Sequence, residues 1–348
     1  MKVGIVTVYD SNNFGSYLQA YALKKVIEKL GHNVYFIKFR TEKEAKKVFF
    51  PGKRKLLHYI KTYYFNNKKY NLLLKDRKIF DEISIKDVDK NSFDIIIIGS
   101  DECWNVKTET FRNKCFYGID LPIKRKIAFS ISCGKALSED FAKFSELVDG
   151  IRNLEDIYVR DEQTRKNVKE LIGKETEMVC DPTLMIDVKE FDKNYEINIK
   201  KDYLLIYSYK FSEKQIEYIK RFAREQNLLI VSVCFKHRFC DKSINCSPLQ
   251  FCKIIQKSKY VVTTTFHGTI FSILNKKQFI SIPSGQKVRD ILAKLELEQC
   301  EFKEEKESYE IFKKKLLTKT DFNKTEKNIL QWRNKSVEIL KNILNEGN

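Results

Sequence analysis

The stretch Lys259-Tyr-Val-Val-Thr-Thr-Thr-Phe-His-Gly-Thr-Ile-Phe-Ser-Ile-Leu274 decides how the rest of the chain is read. Its aromatic and β-branched run predicts a buried strand over 260–263, and the apolar spacing after it predicts a helix beginning near His267 or Gly268. Glycine at the turn lets backbone come close to a ligand. A helix start at the mouth of an α/β sheet presents free N–H groups, where anions and ligands bind. A histidine in an arbitrary loop is as readily a capping or core residue. The strand–His–Gly–helix context favours a ligand-facing role for His267.

Working outward, strand–helix alternation fills the second half. Strands are expected over 203–209, 228–233 and 279–283, with helices over 213–226, 248–257 and 287–295 and a long final helix over 321–345. The first half shows the same pattern, with strands over 2–9, 33–39, 93–99, 125–132, 157–159 and 177–180 and helices over 16–30, 138–152 and 162–172. Residues 41–82 interrupt it. They are rich in Lys, Arg, Tyr and Phe, including Lys53, Arg54, Lys55, Tyr63, Tyr64, Phe65 and Tyr70, and read as one or two basic amphipathic helices inserted after the second strand. Pro182 marks an irregular segment, so the boundary is expected between an N-terminal domain, 1–185, and a C-terminal domain, 186–348, whose last helix packs back. Two α/β halves facing a central cleft are the economical architecture.

The 348 residues are 43% hydrophobic and 32% charged, which describes a globular protein large enough for two domains. The opening apolar run is too short for a signal peptide and lacks a small-residue cleavage site, and no stretch of about 18 apolar residues could span a membrane. A cytoplasmic protein is expected. The net charge of +18 favours anionic partners, from phosphorylated metabolites to acidic lipid surfaces, although lysines spread over every polar face also account for it. Nine cysteines without a C-x-x-C pair imply free thiols. Cys234, Cys240, Cys246 and Cys252 recur every six residues with His237 between the first two, a spacing too wide for paired zinc ligands, so no metal is expected. A G-x-G-x-x-G fingerprint, a Walker A loop, a G-x-S-x-G elbow and H-E-x-x-H are all missing, which argues against NAD and against the common hydrolase classes.

Several loops that end strands carry side chains suited to a shared crevice. Asn12, Asn13 and Gln19 offer amides to sugar hydroxyls, and Gly15 permits close approach. Asp101, Trp104 and Asn105 combine a carboxylate, an aromatic face and an amide, as a carbohydrate site requires, although a buried tryptophan beside a helix cap reads the same way. Arg160 follows a short strand and would present a guanidinium to phosphate or carboxylate, or else pair with Asp161 or Glu162. Lys287 and Arg289, just past the Ser284-Gly285 turn, are candidates for a second anion.

Taken in order, Asn13-Phe-Gly-Ser-Tyr-Leu-Gln-Ala-Tyr-Ala-Leu23, Ile98-Gly-Ser-Asp-Glu-Cys-Trp-Asn105, Ala128-Phe-Ser-Ile-Ser-Cys-Gly134, Val159-Arg-Asp161, Asp181-Pro-Thr183 and Thr265-Phe-His-Gly268 resemble the polysaccharide pyruvyl transferase family over roughly residues 3–290. The resemblance implies two Rossmann-like domains in a glycosyltransferase-B-like arrangement. It implies transfer of a pyruvyl group from phosphoenolpyruvate, as co-substrate without cofactor or metal, to hydroxyls of a sugar in a cell-surface polysaccharide or its lipid-linked precursor. On that reading His267 contacts phosphate and moves a proton, and Asp101 is the base on the acceptor hydroxyl. Arg160, Arg289, Lys287, Thr265 and Gly268 hold the donor's anionic groups, and Asn12, Asn13, Gly15, Gln19, Trp104 and Asn105 hold the acceptor. The donor site falls to the C-terminal domain and the acceptor site to the N-terminal one. The basic insert is expected to dock on the inner, anionic face of the cell membrane. Two departures stand out: Glu102 where similar sequences commonly have Gln, and Thr265-Phe266 where some members carry an arginine shortly before the histidine. A nucleotide-sugar glycosyltransferase of the same fold and a non-catalytic glycan-binding relative are the alternatives; nucleic acid is not the expected partner.

Overall fold

Among the described residues of the computed structural model every strand pairing is parallel, and the strands form two separate sheets. The structure describes residues 1–50, 56–191, 196–283 and 285–346, the side chains of 56–62 excepted. In the first sheet, β1 (Lys2–Val6), β2 (Asn33–Lys38), β3 (Glu82–Ser84), β4 (Ile95–Ile98), β5 (Lys126–Ile131), β6 (Ile157–Val159) and β7 (Glu177–Met178) lie in the order 3-2-1-4-5-6-7. In the second, β8 (Tyr203–Tyr207), β9 (Leu229–Val233), β10 (Lys242–Ile244), β11 (Tyr260–Thr263) and β12 (Gln278–Ser281) lie in the order 10-9-8-11-12. Central parallel strands are covered on both faces and so read as unbroken apolar runs. The four isoleucines of β4 are fully buried.

The strand order reverses between β1 and β4 in one sheet and between β8 and β11 in the other. Such switch points open a crevice at the carboxyl ends of the strands. The segments after β1, β4, β8 and β11 therefore lead to the cleft, the first three bringing Asn13, Asp101 and Tyr209 on loops and the fourth bringing His267 in the first turn of α9.

The helices are α1 (Phe14–Lys29), α2 (Glu42–Phe49), α3 (Leu56–Arg77), α4 (Ser145–Arg152), α5 (Glu162–Ile172), α6 (Pro182–Met185), α7 (Glu213–Glu225), α8 (Pro248–Lys257), α9 (Phe266–Leu274), α10 (Gln286–Lys294), α11 (Tyr309–Leu317) and α12 (Asn323–Asn345). The expected helix over 138–152 is instead a short 3-10 turn, Ser138–Phe141, followed by α4. Asp140 accepts a bond from the backbone N–H of Leu137 at 2.7 Å and so caps the start of that turn.

α1 is buried round most of its circumference, as befits a helix wedged between two layers. Phe14 stacks on Tyr207 of β8 at 6.3 Å and meets Phe251 of α8 at 5.5 Å, so one apolar core runs from the first sheet through α1 to the second. α12 braces the two halves. Thr325 donates to the carbonyl of Leu295 at 3.2 Å, Arg333 donates to the carbonyls of Leu184 at 2.6 Å and Ile186 at 2.9 Å, and Ser336 accepts from the N–H of Cys180 at 2.9 Å.

The insert after β2 is the helix pair α2 and α3. Thr41 and Glu44 form a capping box that starts α2. Phe65 and Tyr70 point inward and are buried, while Tyr63 and Tyr64 stay exposed. The aromatic residues of the insert are thus divided between the apolar underside of an amphipathic helix and its surface. Lys53, Arg54 and Lys55 lie outside the described residues.

Candidate active site

Four strand ends and one helix start converge on a buried polar cluster. Asp101, after β4, has a positive φ of 70°, an uncommon backbone for a non-glycine residue, and such positions cluster at functional sites. One of its carboxylate oxygens accepts from the Ser16 hydroxyl at 2.7 Å and the other from Arg160 Nη2 at 3.2 Å. Arg160, after β6, donates through Nη1 to Asp181 at 2.6 Å. Asp181 caps α6, its other oxygen accepting from the N–H and hydroxyl of Thr183 at 3.0 and 2.6 Å. His267, in the first turn of α9, completes the row with Nε2 at 3.6 Å from Asp181 Oδ2.

That Nε2 is buried and has no hydrogen-bond partner, and Arg160 Nε is in the same state. Buried polar atoms are nearly always satisfied, so two unpaired nitrogens in one cluster mark where a ligand's oxygen atoms would be received. Burial works to raise the pKa of Asp101, but the charges of Arg160, His267 and Lys287 outweigh it and hold the carboxylate below its ordinary range. Burial opposes ionisation of Asp181 too, and His267 and Arg160 outweigh it, leaving that carboxyl well below the usual range. Both groups are anions at neutral pH. A carboxylate with a depressed pKa is a weak proton acceptor, so Asp101 is better suited to orient a hydroxyl than to deprotonate it.

Lys287, on α10, pairs with Glu102 and lies 5.5 Å from the ring centroid of Phe266; Arg160 lies 5.2 Å from the same ring. Burial pushes the Lys287 ammonium down from its ordinary value. Glu102 and Phe266 thus both face cations of the centre.

Other expected site residues turn to structural work. Trp104 is fully buried, donates to the carbonyl of Phe116 at 2.7 Å and stacks on Tyr117, which leaves no face for a sugar. Gln19 is fully buried and bonds Thr7, Val8, Ser16 and Ser100. Asn13 caps α1, accepting from Gly15 N–H at 3.0 Å and from Tyr207 Oη at 2.6 Å across the two halves. Thr265 caps α9, accepting from Gly268 N–H at 3.0 Å, so one of the free N–H groups of this helix start is taken by the chain itself. A Cβ on Gly268 would collide with the Thr263 and Thr265 hydroxyls; the glycine serves the strand–helix turn. A Cβ on Gly15 would collide with the His267 ring, so its bare backbone makes room for the histidine rather than for a ligand. Arg289 pairs with Glu301 at 2.9 Å, and Arg160 pairs with neither Asp161 nor Glu162. Asn105 donates to Glu102 at 3.2 Å, while its own side-chain oxygen and that of Asn12 are buried without a partner.

Asp181 and Ser16 are members of the cluster that residue-by-residue reading passes over. Asp181-Pro-Thr is a helix-capping signature, and only one of its two oxygens is used in the cap. Cys234, Cys246 and Cys252 are buried and Cys240 is half-buried with its thiol pushed up to about 12 by burial. Among the described residues, no group of three or more His, Cys, Asp or Glu side chains is placed to hold a metal.

Two Rossmann-like domains with a polar cluster drawn from both define a protein of the glycosyltransferase-B fold class. In solved structures, a Listeria monocytogenes protein described as a UDP-N-acetylglucosamine 2-epimerase superposes with a TM-score of 0.57 at 11% identity, over 99% of this chain and 97% of that one. The UDP-GlcNAc 2-epimerase of Methanocaldococcus jannaschii superposes at 0.55 with 12% identity, over 98% and 99%. Identities this low speak for the fold alone. The model of the polysaccharide pyruvyl transferase family matches residues 13–286, and the chain belongs to that family. No curated protein matches the chain.

Proposed function

We propose that the protein transfers a pyruvyl group from phosphoenolpyruvate to two hydroxyls of a sugar in a cell-surface polysaccharide or its lipid-linked precursor. The observation that carries this reading is the buried, unpartnered Nε2 of His267 beside the Asp181–Arg160–Asp101 chain, in a member of this transferase family. In such a transfer the C–O bond to phosphate breaks. The methylene carbon of the enol gains a proton, C2 takes one sugar oxygen, and a second hydroxyl displaces inorganic phosphate to close the ketal. His267 is the group suited to contact phosphate and pass the proton, with Asp181 orienting its ring. Arg160 and Lys287 supply positive charge for the donor, and Asp101 accepts a bond from the acceptor hydroxyl. No helix among the described residues is long and apolar enough to cross a membrane. The same reading puts the enzyme in the cytoplasm, with peripheral contact at the membrane where its acceptor is lipid-linked.

The test is release of inorganic phosphate from phosphoenolpyruvate, expected only with a glycan acceptor present. His267→Ala should lower turnover by about two orders of magnitude while leaving thermal stability close to that of the parent. Stabilisation by a nucleotide sugar with no response to phosphoenolpyruvate would replace this reading by a glycosyltransferase. Glycan binding without phosphate release would make the protein a non-catalytic relative.

A further inference from the structure

Away from the His267 centre, α3 and the segment around β10 flank an open surface groove of about 590 Å3. We propose that this groove binds an anionic stretch of saccharide, as an extension of the acceptor site beyond the reacting sugar. Calling that saccharide the acceptor rests on the proposed function; the binding chemistry does not.

Lys68 and Lys75 enter from α3 and Lys236 from the opposite wall. Among the described residues none of the three has an ion-pair or hydrogen-bond partner. No carboxylate among the described residues lines the groove, whereas two other surface grooves contain Glu28 and Glu190 in one and Asp321 in the other. Three like charges sharing one concavity repel one another, and an anionic ligand relieves that repulsion while gaining charge-assisted hydrogen bonds.

The remaining lining selects the kind of anion. The amides of Asn67 and Asn71 are likewise unpartnered, and the side-chain oxygen of Asn245 is buried without a donor. Amides that both donate and accept suit hydroxyl groups. Tyr64, 72% exposed, offers a ring face for the C–H side of a pyranose. A flat lipid surface would make little use of amides set in a concavity.

The groove also shares a wall with the catalytic cleft. Lys69 of α3, buried, donates to the carbonyl of Cys234 at 2.7 Å and to that of Asn12 at 3.4 Å, and Asn12 leads into Gly15 and the His267 ring. Phe235, between Cys234 and Lys236, packs at 4.3 Å against Tyr209, which stands 60% exposed just past β8. Tyr209, unlike Trp104, keeps part of its ring at the surface.

The experiment is titration calorimetry with hexagalacturonate, with maltohexaose as the neutral comparator and phosphatidylglycerol vesicles as the lipid comparator. The parent protein should bind hexagalacturonate at least about tenfold more tightly than maltohexaose, and binding should weaken as ionic strength rises from about 0.05 to about 0.5 M. Combining Lys68→Gln, Lys75→Gln and Lys236→Gln should weaken it about tenfold or more, with the circular dichroism spectrum unchanged. Tyr64→Ala should weaken it about threefold, which charge alone would not produce. No binding to hexagalacturonate, equal binding to maltohexaose, or full binding by the triple variant would overturn the proposal. Vesicle binding that the triple variant loses, with no oligosaccharide binding, would assign the groove to the membrane instead. Hexagalacturonate binding by a protein that never releases phosphate would sink the proposed function and leave the groove's assignment standing.

Discussion

Gly15 and His267 come from different halves of the chain and occupy one van der Waals space. Gly15→Ala should therefore act at a distance in sequence, pushing the imidazole off Asp181. Overpacking of this kind costs about 1–3 kcal/mol, to be read as a lower urea midpoint, and phosphate release should fall with it. A Gly15→Ala protein with parental stability and turnover would remove His267 from the place described. The carboxylates give a second expectation. Asp101 and Asp181 have folded pKa values below the unfolded value of about 3.9, so their contribution to stability is fully present above that value and is lost as pH falls through the folded values. Urea midpoints should drop steeply below about pH 4, and Asp181→Asn should flatten that drop. The same variant should be less stable at neutral pH by about 3–5 kcal/mol, because Arg160 loses a buried partner. An undiminished acid slope in Asp181→Asn would count against its depressed pKa. His267 and Asp101 are legible in sequence because each follows an apolar run that can only be a buried strand. Trp104 is not, since an aromatic residue beside a carboxylate and an amide describes a sugar platform and a core residue equally well. Asp181 is hidden by its cap motif, which accounts for one oxygen and says nothing of the other.

At the scale of elements, long periodic segments are readable and short edge pieces are not. β11, α5 and α8 fall where their spacing puts them, whereas β3 and β10 have three residues each, too few to show alternation. The helical insert is legible as helix, but its inward partner is not, because Lys69 looks like any other surface lysine until its amine is found bonded inside the protein. Lys69→Met should free α3 from the second half. Loss of a buried, charge-bearing hydrogen bond costs about 1–3 kcal/mol, and amide exchange in α3 should quicken more than in α1. Equal protection in parent and variant would mean that Lys69 does not hold the helix.

For the whole molecule, the two sheets and their cleft follow from strand–helix alternation, but the path of the last helix does not. An amphipathic helix declares that it has a partner without naming it. α12 turns out to run from the second half, at Leu295, to the first, at Cys180 and Leu184. Shortening the chain to end before α12 should uncover Val179, Leu184 and Ile186 and should bind a dye such as ANS, with loss of the cooperative unfolding transition. A truncated protein that unfolds as sharply as the parent and binds no dye would show the brace to be dispensable.

The brace also sets an order of events on the ribosome. The residues that α12 covers on the first half are made once synthesis reaches Ile186, just past α6, and α12 is finished only at Asn345, about 160 residues later. At roughly 5–20 residues per second, the nascent first domain waits about 8–30 s with that apolar face bare. Through that interval it is a natural client for a chaperone, and slow codons between α6 and α12 would lengthen its exposure.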